Sequence, residues 1–172
     1  MSSLAIRIIP EYASHDEAVE KMGAAAFGPG RFARAAFRLR EGNPHHPDLS
    51  FVALVSQDGA PEVLAGSVRL TAICIGGKRA LVLGPLVVLP CFKNAGIGRE
   101  LMNCSILAAR DMGEAFIILV GDEPYYGKFG FKVIPHGQIT LPGPADPARM
   151  LYCELQPGIV GEYRGKALTF MQ

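Results

Sequence analysis

The feature that most constrains the fold is an apolar run over residues 80–89, which leads through a glycine-bearing loop into an amphipathic helix. The run is almost wholly apolar, and this predicts a central strand covered on both faces. Gly84-Pro85 interrupts the run, and because proline cannot donate to a sheet ladder, we expect a β-bulge there. From Ile97 to Gly113, apolar residues repeat at helical spacing. The chain is therefore expected to be organised around one kinked inner strand that runs into a turn and a helix.

Patterns elsewhere predict a mixed α/β chain with a single domain over residues 1–172. Besides the central run, strands are predicted at residues 4–9, 51–55, 63–75, 116–120, 131–134 and 150–155. Ser14 is predicted to cap a first helix, with Glu17 completing a capping-box pattern, and further helices are predicted at residues 32–40 and 125–129. The turn at residues 57–61 predicts an antiparallel hairpin. Residues 135–147, which are rich in proline and glycine, are predicted to form a loop.

The composition indicates a globular protein without a strong charge bias. Of 172 residues, 49% are hydrophobic and 19% charged, and the formal net charge is +1. This balance gives no electrostatic reason to expect nucleic acid or an anionic membrane as partner. The four cysteines form no C-x-x-C pair, so we expect reduced thiols and no metal. With neither a signal peptide nor an apolar stretch of about 20 residues, the chain is predicted to be cytoplasmic.

The loop after the apolar run has the chemistry of a phosphate site. The first turn of a helix presents unpaired N–H groups and the positive end of the helix dipole. Gly96 and Gly98 let an anion approach the backbone, and Lys93 and Arg99 add positive charge. The G-K-[ST] of a Walker A motif is absent, and Leu101 stands where a dinucleotide fingerprint has its third glycine. On the glycines alone, a plain strand-to-helix turn is an equal alternative.

Two further segments suggest a ligand with amide groups and a leaving thiolate. A bulge at Gly84-Pro85 frees backbone groups of Leu86, Val87 and Val88, so that pantetheine can pair there like an added strand. The alternative is an edge strand with a structural kink. Tyr126, after a buried strand, carries a phenol that stays protonated at neutral pH and can protonate a thiolate. Its alternative role is packing.

Together these segments resemble the GNAT superfamily of acetyltransferases, and within it the bacterial subgroup called YhbS-like. The stretch KNAGIG at residues 93–98 is similar to the coenzyme A signature Q/R-x-x-G-x-G/A, and YGKFGF at residues 126–131 is similar to Y-x-x-x-G-F. The resemblance implies the acyl-CoA N-acyltransferase fold, an α/β (α+β) arrangement. Its mixed, mostly antiparallel sheet would have about seven strands, with helices on both faces.

The resemblance also implies an activity and its partners. Acetyl-CoA would be the cosubstrate, and a primary amine of a small molecule or protein would attack it directly in a ternary complex. A homodimer is the family-level expectation. A second hypothesis, from another class, is a coenzyme A-binding sensor or regulatory module without catalysis.

Functional residues follow from the resemblance by position. The implied coenzyme A-binding residues are Leu86, Val87, Val88, Lys93, Asn94, Ala95, Gly96, Ile97, Gly98 and Arg99. The amides of residues 94–99 would bind the pyrophosphate, residues 86–88 would pair with pantetheine, and an amide near Val87 would stabilise the oxyanion. Tyr126 would be the general acid. Three positions depart from the residues that are usual in the family: Lys93 replaces glutamine or arginine, Asn94 replaces glycine and Ala95 replaces a basic residue.

The general base is left open by the sequence. An amine with a pKa of about 10.4 costs about 4.6 kcal/mol to deprotonate at pH 7, so a base is expected. The family commonly uses a glutamate on the central strand, but residues 81–89 contain no acid. The candidates are Asp122, Glu123, His136 and the pair His45-His46. Asp122 and Glu123 are also expected to cap the short helix that follows them.

Overall fold

The computed structural model describes residues 4–28, 30 and 34–170. Nine strands lie within them: β1 Leu4–Pro10, β2 Phe51–Gln57, β3 Val63–Ile75, β4 Lys78–Val88, β5 Phe116–Val120, β6 Lys132–Val133, β7 Ile139–Thr140, β8 Met150–Glu154 and β9 Gly165–Thr169. Four α-helices accompany them: α1 Asp16–Phe27, α2 Ala35–Arg40, α3 Ile97–Asp111 and α4 Glu123–Tyr126. Among the residues described, no helix has the length and apolar character needed to cross a bilayer.

The strands form one mixed sheet in the order β1-β2-β3-β4-β5-β8-β6, with β9 pairing the end of β3 and also β7. Every described pair is antiparallel except β4–β5 and β7–β9. The predicted mixed, mostly antiparallel sheet is therefore confirmed. The count of about seven strands is too low, because β7 and β9 were not predicted. The first is only two residues long inside the predicted loop, and the second begins at a glycine and lacks a clear apolar alternation.

Strand β4 separates two apolar layers. Leu81 and Leu83 point into the layer that contains the buried face of α3. Ala80 and Val82 point to the opposite layer, which contains Leu39 of α2. The alternation follows from the two-residue period of a strand and places helices on both faces, as predicted.

The predicted bulge lies in β4 where proline interrupts the run. Leu86 pairs with Val68 and Leu83 pairs with Leu70, so β4 carries one residue more than β3 across this interval. The parallel pairing with β5 is confined to Leu81 and Val82. The two central strands therefore part after residue 82, and from there on the edge of β4 that faces away from β3 has no described partner strand.

The helix boundaries differ from the predictions in detail. The first helix begins at Asp16 after a 3₁₀ turn over Ala13–His15, and His15 occupies its N-cap position without a side-chain cap bond to the helix. The predicted Ser14 cap is therefore wrong. The second helix is described from Ala35, and residues 32 and 33 of the prediction lie outside the described residues. Helix α3 begins at Ile97 as predicted.

A glycine on β3 sets how closely α3 approaches the sheet. A Cβ atom at Gly66 would lie 3.0 Å from side-chain atoms of both Ile97 and Leu101. The start of α3 therefore packs directly on the strand that pairs with the kinked part of β4. This contact fixes the position of the turn before α3 relative to the edge of β4 that has no described partner strand.

Candidate active site

The turn that joins β4 to α3 has an unusual backbone. Asn94 has φ 67° and Gly96 has φ 83°, both in the left-handed region. Asparagine is among the non-glycine residues that adopt this conformation most readily, so Asn94 can hold this backbone without a glycine. The replacement at this position therefore keeps the shape of the turn.

The amides of this turn are unpaired. Within the described chain, the N–H groups of residues 94–99 donate no hydrogen bond, whereas the next amide, Glu100 N–H, donates to Gly96 O at 3.1 Å. Three of these six amides belong to the first turn of α3, where no intrahelical acceptor exists. Six unpaired amides in and beside a helix N-terminus offer an anion-binding cradle.

Two side chains lie beside this cradle without bonding to its amides. A Cβ atom at Gly96 would lie 3.2 Å from an Arg99 guanidinium nitrogen, and one at Gly98 would lie 2.7 Å from Tyr125 Oη. Lys93 and Arg99 are exposed. The turn is open to solvent and flanked by two cations, which suits a diphosphate.

Beyond the bulge, the backbone groups of β4 face alternately toward β3 and toward the open edge, which is the edge that has no described partner strand. Leu89 N–H donates to Ala65 O at 2.8 Å, which makes this a hydrogen-bonded pair with β3. Because such pairs alternate along antiparallel strands, the backbone of Val87 also faces β3. The amides of Leu86 and Val88 therefore face the edge from which β5 has departed. Those two residues, and not Val87 between them, have backbone groups available to a ligand.

A cleft of about 1330 Å³ opens where β4 and β5 part. Its floor is the bulge and the end of β5, and its walls come from α1, α2, the loop before β2 and the loop before β8. The lining includes Gly84, Pro85, Leu86, Val120 and Tyr126. The volume exceeds that of most single small-molecule pockets, so it can hold an acyl group and an acceptor together.

Tyr126 lines this cleft, while Tyr125 does not. The Tyr126 ring is half-buried, packs edge-on to Tyr125 at 4.9 Å between ring centroids, and its hydroxyl bonds to no described residue. Burial, with smaller contributions from Tyr125 and Asp122, raises the pKa of Tyr126 to about 12. The phenol is therefore protonated at neutral pH.

An ion network that the sequence did not predict lies in the cleft wall. Glu11, at the end of β1, is 4% exposed and accepts two hydrogen bonds from Arg69, at 3.0 and 2.7 Å. The same guanidinium donates to Asp16 at 2.9 Å and to Glu20 at 2.7 Å. Burial opposes ionisation of Glu11, but hydrogen bonds from His45 and Arg69 outweigh it and lower its pKa to about 2.

His45 joins this network and lines the cleft. Its Nε2 lies 3.2 Å from Glu11 Oε2, while its Nδ1 is buried and has no partner among the described residues. The imidazole is thus held through one nitrogen by a carboxylate, and its other nitrogen remains unused. His46 differs, because its Nδ1 accepts from Asp48 N–H at 3.2 Å.

The other base candidates are less well placed. Asp122 lines the cleft but is exposed, pairs with Arg149 at 3.2 Å and makes no side-chain cap bond to α4, contrary to prediction. Glu123 is not among the lining residues and lies against Gly127. His136 lies on a separate small pocket of about 310 Å³. Of the candidates, the structure brings only Asp122 and His45 to the cleft.

Glu11, Asp16 and His45 bring ligand-type atoms within 4.8 Å of one another. Both carboxylates already bond to the Arg69 guanidinium, at 2.7 and 2.9 Å. A fixed cation among these oxygens opposes the entry of a metal cation. We therefore assign the cluster to the ion network.

The chain has the fold of the GNAT acyltransferases. The chain superposes on YhbS, a GNAT family N-acetyltransferase from Escherichia coli in complex with CoA, with a TM-score of 0.77 and 18% identity, covering 98% of this chain and 91% of that one. It superposes on a GNAT family acetyltransferase from Brucella melitensis in complex with acetyl-CoA with a TM-score of 0.66 and 22% identity, covering 96% of each. A chain of the NatC complex bound to Gag peptide and CoA gives 0.64 and 17%, covering 87% and 98%. No protein-family profile and no curated protein sequence matches this chain.

Proposed function

We propose that the chain is an acetyl-CoA-dependent N-acetyltransferase that transfers the acetyl group to a primary amine. The observation that carries the proposal is the row of unpaired amides at residues 94–99, placed beyond the open edge of β4. In a cofactor with a diphosphate and an amide-bearing arm, the diphosphate matches the row of amides and the arm matches the open edge of β4. The solved relatives with bound CoA or acetyl-CoA share this fold, which supports the same cofactor here.

The cofactor is bound mainly by backbone in this proposal. The amides of residues 94–99 bind the diphosphate, with Lys93 and Arg99 beside it. The pantetheine arm pairs with Leu86 and Val88, whose backbone faces the open edge. One of these two amides also donates to the thioester oxygen as it becomes an oxyanion.

Acetyl transfer then proceeds by direct attack. The neutral amine nitrogen forms a bond to the thioester carbon, the carbonyl electron pair moves to oxygen, and collapse of the intermediate breaks the C–S bond. Tyr126, protonated because burial raises its pKa to about 12, gives its proton to the leaving thiolate. The phenolate regains a proton from solvent.

His45 is the base that the geometry favours. Its Nε2 bonds to Glu11, which orients the ring and leaves the buried Nδ1 as the acceptor for the amine proton once a small movement of the loop before β2 exposes it to the cleft. A buried nitrogen without a partner costs roughly 1–3 kcal/mol. An N–H group of the substrate amine that donates to His45 Nδ1 would remove this cost.

The proposal is tested by two measurements on the purified chain. Calorimetry with acetyl-CoA should show binding, and an amine panel should release free coenzyme A thiol faster than the no-amine control. Binding without thiol release from any amine, including peptide N-termini and lysine side chains, would favour the non-catalytic coenzyme A-binding module. Absence of acetyl-CoA binding would overturn both readings.

A further inference from the structure

Arg40 is the last residue of α2, and its side chain reaches across to the bulge in β4. A Cβ atom at Gly84 would lie 2.7 Å from Arg40 Nη1, so only a glycine leaves room for the guanidinium there. The residue is half-buried and lines the large cleft. A permanent positive charge is thus held against the strand that carries the candidate oxyanion amides.

This charge has no anionic partner in the described chain, and its one aromatic contact is the Phe37 ring, whose centroid lies 5.8 Å from the guanidinium carbon. Arg69 and Arg149, the neighbouring cleft arginines, both bond to carboxylates. Arg40 makes neither an ion pair nor a side-chain hydrogen bond to a described residue, and Glu20, the acid that influences it, already bonds to Arg69 at 2.7 Å. Burial, followed by repulsion from Arg69, lowers the pKa of Arg40 to about 10, so the side chain remains charged at neutral pH.

We propose that Arg40 binds an anionic group of the acceptor, so that the acceptor is an amine that also carries a carboxylate or a phosphate ester. This inference rests on the proposed acetyl transfer and narrows its substrate class. A guanidinium presents a planar fork of donors that matches both anions. A half-buried cation without an ion pair costs free energy, and an anionic acceptor would remove that cost on binding. Arg34, at the cleft wall, also lacks an ion pair with a described residue and adds to the attraction.

The first experiment compares amines of similar size. β-Alanine and O-phosphoethanolamine are measured against propylamine and ethanolamine, with acetyl-CoA saturating and thiol release as the readout. We expect an anionic amine to have a kcat/KM about 10- to 100-fold above that of its neutral counterpart, the range of one or two charge-assisted hydrogen bonds. The preferred anionic amine shows whether the acceptor carries a carboxylate or a phosphate ester. Equal values for charged and neutral amines would overturn the inference.

The second experiment removes the charge. Arg40→Gln should erase the preference while leaving acetyl-CoA affinity unchanged, and Arg40→Lys should retain part of it. Arg38→Gln is the matched control, because Arg38 lies in the same helix, outside the cleft lining, and donates to Pro142 O at 3.1 Å. An Arg40→Gln variant that keeps the full preference contradicts the inference. If that variant fails to fold, the wild-type panel and Arg40→Lys decide.

A third measurement separates this inference from the proposed function. N-acetyl-β-alanine and N-propylacetamide are titrated against the protein saturated with coenzyme A, which requires no turnover. The anionic amide should bind the wild type at least about 10-fold more tightly, and Arg40→Gln should bind both equally. This result without thiol release in any assay would retain the anion site and reject the transferase. Thiol release without this preference would support the transferase and reject the anion site.

Discussion

The two halves of the candidate site are built by different means. The cofactor half, β4 from Gly84 onward and the turn at residues 93–99, offers mostly backbone groups that a kink and an open turn leave unpaired. The acceptor half offers charged side chains that converge from α1, α2, β3 and the loop before β2, and Glu11 after β1 bonds to two of them from behind the lining. The first half can be read along one stretch of sequence. The second exists only once distant segments meet, as when Arg69 bonds to Glu11 across 58 positions.

The difference suggests how such a fold changes its acceptor while keeping its cofactor. Backbone donors depend on few residues, chiefly those that permit the kink and the left-handed turn, so most substitutions leave them intact. Side-chain charges change with single substitutions. Perturbations of the cofactor half should therefore act on acetyl-CoA binding, and perturbations of the acceptor half on turnover, pH dependence or stability.

The largest effect is expected from Gly96→Asp. The new carboxylate would stand in the cradle against the cofactor diphosphate, at a position with φ 83° that also strains any side chain. Like charges in contact cost several kcal/mol, so we expect acetyl-CoA affinity to fall at least about 1000-fold by calorimetry.

Gly113→Asp is the matched control for this variant. Gly113 has φ 81° just beyond the other end of α3, with open space around it, so it carries the same backbone strain without the cradle. Its acetyl-CoA affinity should equal that of the wild type. Normal affinity in Gly96→Asp would mean that the diphosphate binds elsewhere.

The cofactor half was also the part of the site that the sequence predicted best. The bulge at Gly84-Pro85 and the start of α3 at Ile97 are confirmed. Each is a local consequence of residues that restrict or free the backbone, so neighbours in sequence suffice to predict it.

The acceptor half was largely missed. Glu11 follows the first strand and reads as an ordinary surface acid, and Arg69 lies inside a long strand prediction with no sign that three carboxylates surround it. A proline before Glu11 and a lone arginine in an apolar strand were the only available signals. The short strands β7 and β9 were missed for the same reason, because tertiary pairing and not local pattern forms them.

Tyr126→Phe should separate chemistry from binding. Without the phenol proton the thiolate leaves unprotonated, and we expect kcat to fall about 100- to 1000-fold while acetyl-CoA affinity stays within about twofold. Stopped assays of thiol release with a saturating amine give kcat, and calorimetry gives the affinity. Tyr125→Phe, which removes the hydroxyl beside Gly98, is the control and should retain kcat. An unchanged kcat in Tyr126→Phe would reassign the acid.

His45→Gln should change the pH profile as well as the rate. The variant keeps a hydrogen-bonding side chain beside Glu11 but cannot accept the amine proton, so kcat/KM should fall about 100-fold. The acidic limb of the kcat/KM profile attributed to the base should disappear. His46→Gln, whose parent side chain only accepts from Asp48 N–H, should keep both rate and profile. A retained acidic limb in His45→Gln would point to Asp122 instead.

The smallest effect is on the free energy of unfolding, and it comes from the protonation of Glu11 in the acceptor half. The pKa of Glu11 is about 2 in the fold against 4.5 unperturbed, so its contribution is complete above about pH 4.5 and is lost as the pH falls toward 2. Between pH 7 and pH 3 this carboxyl should cost the protein about 2 kcal/mol of unfolding free energy, measured by urea titration. Glu11→Gln should be less stable at pH 7 and should show a correspondingly smaller loss on acidification. Glu62→Gln, which removes an exposed partner of Arg7, should leave the acid sensitivity nearly unchanged. Equal acid sensitivity in Glu11→Gln and the wild type would show that the buried network does not anchor the acceptor wall.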